Sequence, residues 1–328
     1  MAKVVVQNLT RNNKLVVNQS KTNNAKVLVQ NKKRELPKIP SFSSTGLIEQ
    51  IRVFTQPNQY NYYLGFGGMG DALLLLASCW DDPKARVIFF ANQQPFIRNF
   101  FELFGMSLYL HDNIMGTAIA GHIYDIVTKL PNFKQSAHLV DGLNYGDWIN
   151  ENKYMTRIRH YVPWGINIGK IQSNKPVVII GPSGSSKDVK RQRFLHHHEY
   201  RQLVNRYLDK GYSVYGTGSV SDLHMYGLIQ KENSYWLTSD KIYSYKGEIN
   251  SDLRGMLKII NSAEIVISMD TWLKTYTLLC GIPTTVIETR WSNSYRPYGE
   301  DVTDWIFLNP KIWEHIQMEK IEKLLAPK

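Results

Sequence analysis

Short apolar, β-branched runs alternate along the chain with stretches whose apolar positions recur every three to four residues. The clearest case is 263–288, AEIVISMDTWLKTYTLLCGIPTTVIE. Residues 265–269 have the pattern of a buried parallel strand. Asp270 and Thr271 are good helix caps, and 272–280 keeps apolar positions at helical spacing. Gly281 and Pro283 end that helix, and 284–287 predicts the next strand. The resulting β-α-β unit carries Asp270, Thr271, Lys274 and Thr275 at the carboxyl end of a strand. Ligands of open α/β sheets settle there, with anionic groups facing the helix N-terminus. Helix capping alone also accounts for Asp270 and Thr271.

The alternation extends in both directions. Residues 51–54 and 60–65 predict strands, followed by a loop holding Gly65, Gly67, Gly68 and Gly70. Asp71 then stands at a helix start, and 72–80 is apolar. Strands are expected at 86–91, 107–110 and 139–141, and helices at 95–104, 122–129 and 148–159. Pro163, Gly165 and Gly169 make 161–174 the expected connection between domains. A second series opens with a strand at 176–180 and a loop containing Ser183, Gly184, Ser185, Ser186, Lys187 and Lys190. A helix over 195–209 ending at Gly211, a strand at 212–215 and a turn at Gly216–Ser219 follow. The stretch up to Gly247 reads as irregular, 252–262 as a helix, and 311–325 as a last helix. The fold class is therefore α/β: two Rossmann-like domains at 46–165 and 166–310, with a C-terminal helix over 311–328 placed to cross back to the first.

Composition narrows the partners. The 328 residues are 43% hydrophobic and 20% charged, as in a folded chain. No apolar run reaches membrane-spanning length, and the N-terminus lacks the pattern of a secretion signal. The cytoplasm is the default compartment, a host's cytoplasm if the chain is phage-encoded. Cys79 and Cys280 are far apart in apolar surroundings, which points to neither a disulfide framework nor a metal cluster. The formal charge of +11 points toward polyanions. Residues 1–45 concentrate it, with nine basic residues against Glu35 alone. A phrase recurs there from Lys3, Lys14 and Lys26, predicting a three-stranded basic arm, with 35–45 as a linker. Such an arm must lean on the body or on a partner. It reads either as a contact for a polyanionic acceptor or as a solvated or oligomerising appendage.

Three features carry candidate chemistry. A carboxylate at a glycine-rich strand-to-helix turn, Asp71, suits a general base, although capping explains it too. The glycine spacing does not match the dinucleotide fingerprint. The loop after residue 180 suits a phosphate cradle, but Ser186 before Lys187 and Asp188 after it depart from a Walker A loop. His196, His197 and His198 point about 100° apart on a helix, so they cannot share one ion.

Gly70-Asp71-Ala-Leu, the 177–190 strand and loop, the Gly216–Ser219 turn, AEIVISMDT and GIPTTV together resemble the GT-B glycosyltransferases. More narrowly they resemble the ADP-heptose:lipopolysaccharide heptosyltransferase-like family, family 9. The resemblance covers roughly 46–325 and rests on order and spacing. It implies an inverting, metal-independent transfer from a nucleotide-sugar, with no other cofactor, across a cleft between the two domains. By the same resemblance Asp71 is the base, with Gly68 and Gly70 on the acceptor side. Ser183, Gly184, Ser185, Ser186, Lys187, Lys190, Gly218, Asp270, Thr271 and Lys274 would hold the donor. The family's Asp-Ser/Thr-Gly and downstream histidine are altered here: Trp272 takes the glycine place and Thr275 the histidine place. A tryptophan against the sugar would imply a donor other than heptose, with Lys274 neutralising diphosphate. The expected acceptor is a hydroxymethylated base in DNA, as in phage glycosyltransferases. Arg290, Trp291 and Arg296 supply an aromatic and basic loop for a flipped base. The alternatives are lipopolysaccharide or another anionic surface glycan, and a non-catalytic nucleotide or nucleic-acid binder with a degenerate transferase fold. Oligomeric state is left open.

Overall fold

The computed structural model describes residues 13–18, 26–31, 44–56, 59–80, 82–92, 94–112, 114, 117–136, 167–184, 194–269, 271–288 and 313–317. Near the N-terminus, β1 (Asn13–Asn18) and β2 (Lys26–Asn31) pair antiparallel with Val16 opposite Leu28. The described part of the basic arm is thus a two-stranded hairpin. The first recurrence of the phrase, from Lys3, lies outside the described residues.

Next comes α1 (Ser44–Thr55). This corrects the expected strand at 51–54 and starts a helix inside the expected linker. Leu47, Ile51 and Phe54 are buried at helical spacing, whereas Val53 is 56% exposed. The periodicity outweighs the β-branched character of Ile51 and Val53. The order then runs β3 (Asn61–Gly67), α2 (Met69–Ser78), β4 (Ala85–Ala91), α3 (Gln94–Leu103), β5 (Ser107–His111), α4 (Ala118–Thr128) and β6 (Phe133–Ser136). These strands form one parallel sheet in the order β5-β4-β3-β6. β6 falls before the strand expected at 139–141, which lies outside the described residues with the helix expected at 148–159. Helices α1 and α4 cover one face through Ile51, Phe54, Ile123 and Val127. Helices α2 and α3 cover the other through Leu73, Leu75, Phe100 and Phe101.

The second sheet is larger. It is built from β7 (Val177–Gly181), α5 (His197–Asp209), β8 (Ser213–Thr217), α6 (Val220–Tyr226) and β9 (Ser234–Leu237). An antiparallel hairpin follows, β10 (Lys241–Ser244) and β11 (Gly247–Asn250), and then α7 (Leu253–Asn261), β12 (Ala263–Met269), α8 (Trp272–Leu279), β13 (Thr284–Glu288) and β14 (Trp313–Gln317). The strand order is β11-β10-β9-β8-β7-β12-β13-β14, with β9 to β14 parallel apart from the added hairpin. The chain winds outward from β7 in one direction and from β12 in the other, so the order reverses between these two strands.

Two expectations fail here. The stretch before Gly247, expected to be irregular, contains α6, β9 and β10. Within the expected helix at 311–325, the described residues 313–317 are instead a strand, β14, which pairs with β13 from Thr284↔Trp313 to Glu288↔Gln317. Local helix propensity is a weak preference, and an open strand edge offering a full ladder of hydrogen bonds outweighs it.

Helices α5 and α6 cover one face of the second sheet, through Leu203, Val204 and Tyr226. Helices α7 and α8 cover the other, and their apolar side chains join those of α2 and α3 in one continuous cluster. The α/β units therefore meet helix layer against helix layer. Phe96 of α3 meets Trp272 of α8 edge-on at 5.2 Å, and Phe100 meets Tyr276 at 5.9 Å.

Candidate functional site at the facing strand ends

In the first unit the turn from β3 into α2 is shaped by its glycines and by Asp71. Gly67 has φ +125°, a conformation glycine adopts without strain, and a side chain there would run into the Asp71 carboxylate. Asp71 is the third residue of α2, and its Oδ2 accepts a hydrogen bond from the Gly68 N–H at 2.8 Å. The carboxylate is half-buried and satisfies an amide that the helix start leaves without an intrahelical partner. Capping is thus a role Asp71 fulfils, whatever else it does.

The next turn of α2 abuts the second unit. A Cβ on Gly70 would lie 3.4 Å from Thr275 Oγ1 and 3.9 Å from Trp272 Cα. The first turns of α2 and α8 thus approach almost backbone to backbone, and α2 needs a small residue at the crossing. Thr271 caps α8, its Oγ1 accepting from the Leu273 N–H at 3.2 Å and lying 3.3 Å from Ser268 Oγ. The N-terminus of α8 therefore starts beside the Asp71 turn.

Both altered positions of the motif lie at this helix contact. Trp272 is half-buried and packs into the inter-unit cluster edge-on to Phe96. Thr275, in the histidine place, is buried with 6% exposure against Gly70. Lys274 is half-buried on the first turn of α8.

In the second unit, the carboxyl ends of β7 and β8 converge on one acid the sequence reading missed. Asp222, third residue of α6, accepts from Ser183 Oγ at 2.8 Å through Oδ1. Its Oδ2 accepts from Ser219 N–H at 2.7 Å and Ser219 Oγ at 2.6 Å. The Ser183 hydroxyl proton is committed to a carboxylate. Gly218 lets this acid sit close, because a Cβ there would lie 2.9 Å from Asp222 Oδ2. The available signal was the Ser219-x-x-Asp222 spacing, a capping box at the start of a helix.

Ser183 and Gly184 open the loop expected to cradle phosphate. Ser185, Ser186, Lys187 and Lys190 lie outside the described residues, as do Asp270, Arg290, Trp291 and Arg296. The two ends of that loop are fastened together. Leu195 N–H donates to Pro182 O at 2.8 Å, and Ser183 bridges Phe194. The buried Tyr226 hydroxyl lies 3.0 Å from Pro182 O and 2.9 Å from Leu195 O. Burial pushes the Tyr226 phenol above its ordinary value, keeping it protonated as a donor. Tyr226 was another residue invisible to motif reading, since its role depends on two carbonyls 31 and 44 positions away.

A separate shallow depression of about 270 Å³, lined by Lys170, Lys175, Ser262 and Glu264 among others, lies at the amino ends of β7 and β12. Ligands of doubly wound sheets collect at the opposite, carboxyl ends, so it is set apart from the site. Among the described residues no group of three or more His, Cys, Asp or Glu is arranged to hold a metal ion. No helix among them is long and apolar enough to cross a membrane.

No family model matches the chain, and no curated protein matches it in sequence. Among solved structures it is similar to ADP-heptose lipopolysaccharide heptosyltransferase II of E. coli, at 11% identity and a TM-score of 0.42 over 80% of this chain and 98% of that one. It is also similar to a glycosyl transferase family 9 protein of Veillonella parvula, at 10% identity and 0.41 over 79% and 86%. A third is Anabaena HepE in complex with UDP and glucose, at 13% identity and 0.33 over 70% and 81%.

Proposed function

We propose that this chain is a nucleotide-sugar-dependent glycosyltransferase that transfers with inversion to an acceptor hydroxyl. The observation that carries the reading is the meeting of two strand-end turns. The acid-bearing turn of the first unit touches, through Gly70, the α8 start at Trp272 and Thr275 in the second. That α8 start follows β12, one of the two strands where the second sheet reverses its order, the place where doubly wound sheets bind nucleotides.

On this reading the nucleotide lies across the ends of β7, β8 and β12. An acid past the second strand of such a sheet hydrogen-bonds ribose hydroxyls, and Asp222 takes that part. The diphosphate faces the α8 N-terminus with Lys274 and the lysines of the 185–190 loop, whose positive charge stabilises the leaving group. Asp71 accepts the proton of the acceptor hydroxyl as its oxygen attacks the anomeric carbon. The bond from that carbon to the diphosphate breaks in the same step. No metal ion or other cofactor is part of this scheme.

For the acceptor we propose a hydroxymethylated base in DNA. The charge of +11 and the lysines at positions 14 and 26 of the β1–β2 hairpin support a polyanionic acceptor. The test is incubation with a panel of nucleotide-sugars and hydroxymethylated duplex DNA, followed by nucleoside mass spectrometry. A glycosylated nucleoside is expected, and is lost on Asp71→Asn. Transfer to a phosphorylated glycan but never to DNA would keep the transferase and reject the acceptor. Transfer to neither, with nucleotide binding intact, would reject the transferase.

A further inference from the structure

The antiparallel hairpin added beyond β9 leaves one strand with a bare edge. Among the described residues β11 is bonded on one side only, to β10. All four of its residues are exposed, and among the described residues Ile249, at 61%, is the most exposed large apolar side chain. Tyr245, in the two-residue turn, is 40% exposed. Native proteins normally cover or blunt such an edge, because its unpaired amides and carbonyls are a template for another strand.

The hydrogen-bond parity of β11 says which groups point outward. Ser251 N–H donates to Asp240 O at 2.7 Å, in line with the register Lys241↔Asn250 and Ile242↔Ile249. Hydrogen-bonded pairs alternate along an antiparallel ladder, so 240/251, 242/249 and 244/247 are the bonded pairs. The N–H and C=O groups of Glu248 and Asn250 therefore face away from β10.

We propose that β11 pairs with β11 of a second copy of this chain, antiparallel about a two-fold axis through Ile249. This register matches the outward groups. Glu248 of one copy faces Asn250 of the other as a bonded pair, twice by symmetry, giving roughly four backbone hydrogen bonds. Ile249 then faces its own copy at the closely spaced non-bonded position and buries the side chain that is exposed in the single chain. Its neighbour Ile242 is half-buried against the main cluster, so the new apolar contact extends an existing core.

Charges agree with the register. Glu248 stands opposite the neutral Asn250, and its carboxylate is already paired with Lys241 Nζ at 2.6 Å. Lys246 lies at the height of Asp252 of the second copy, so opposite charges meet at both ends. A one-residue slip would turn each copy's outward groups toward groups already bonded to β10. The two eight-stranded sheets become one continuous sheet, with β10, β9 and β8 between the pairing edge and β7 in each copy. This inference does not rest on the transferase reading.

The experiment is sedimentation of the full chain from roughly 1 to 200 µM, a range suited to a small interface. A species of twice the 37.9 kDa chain mass is expected at the upper end. Ile249→Lys, at an exposed position that leaves the fold intact by circular dichroism, is expected to weaken association by about tenfold or more. Ile249→Cys is expected to give a covalent dimer on mild oxidation, whereas Glu248→Cys and the wild type are not. A monomer throughout the range overturns the proposal. So does a dimer that resists Ile249→Lys or fails to cross-link through Cys at 249, because its interface is then elsewhere.

Discussion

Asp71 and Asp222 have the same local structure and different neighbourhoods. Each is the third residue of a helix, and each carboxylate turns back to accept the N–H of the capping residue, at 2.8 Å and 2.7 Å. Glu199 does the same for His196 at 2.7 Å in α5. An acid at this position is a repeated helix-start device in this chain, worth about 1 kcal/mol each time. What separates the two aspartates is reach. Asp222 ties together the ends of β7 and β8 within one unit, through Ser183 and Ser219. Asp71 accepts from Gly68 at its own helix start, and the adjacent Gly70 of the same turn presses on the other unit. A local hydrogen bond therefore does not mark a catalytic acid, whereas a position at the seam between units distinguishes one candidate from the others.

The sharpest way to break this comparison is Asp71→Asn. The amide oxygen can still accept from Gly68, so the helix start survives while the proton acceptor is lost. Sugar transfer is expected to fall by about 10²–10⁴ with little change in melting temperature. Equal loss of stability in Asp71→Asn and Asp222→Asn would make both simple caps. Trp272→Ala comes next, because it removes a half-buried ring from the seam. It is expected to cost about 2 kcal/mol of stability and to lower kcat more than donor affinity. Trp272→Phe should restore most of both, since an edge-on contact with Phe96 remains available.

Asp222→Ala is expected to remove three hydrogen bonds and expose Ser183. Nucleotide affinity, followed by calorimetry, should drop by about tenfold, with roughly 1–2 kcal/mol lost in denaturant unfolding. Unchanged affinity would take Asp222 out of the nucleotide site. The smallest expected effect is at alkaline pH and involves both units. Burial raises the phenols of Tyr109 in the first unit and Tyr215 in the second to about 12, from 10.0. A raised phenol favours the neutral form in the folded chain. Its contribution is therefore complete below pH 10 and is lost as pH rises toward 12. Melting temperature is expected to stay level to about pH 9 and then decline.

Much of the fold was legible because burial imposes periodicity. The run at 263–269 and the capped helix after it follow from apolar spacing, Thr271 and Gly281, and the structure has β12, α8 and β13 there. Gly67, Gly68 and Asp71 were legible as a turn and helix start for the same reason. The site was less so. Ser183 was readable as a loop hydroxyl but not as Asp222's donor, because that bond joins residues 39 apart. Tyr226 holds both ends of a loop through carbonyls far away in the chain, which no local pattern marks.

The chain's own pattern determined the α/β class, the strand–helix alternation, the caps and the basic charge of the arm, since each depends on residues within a few positions of one another. The tertiary structure alone decided that 313–317 is a strand, because β13 offered it a partner. It alone set Trp272 against Phe96 and Gly70 against Thr275. Such pairings bring together groups far apart in the chain. Their energies depend on packing between elements, which no local spacing encodes.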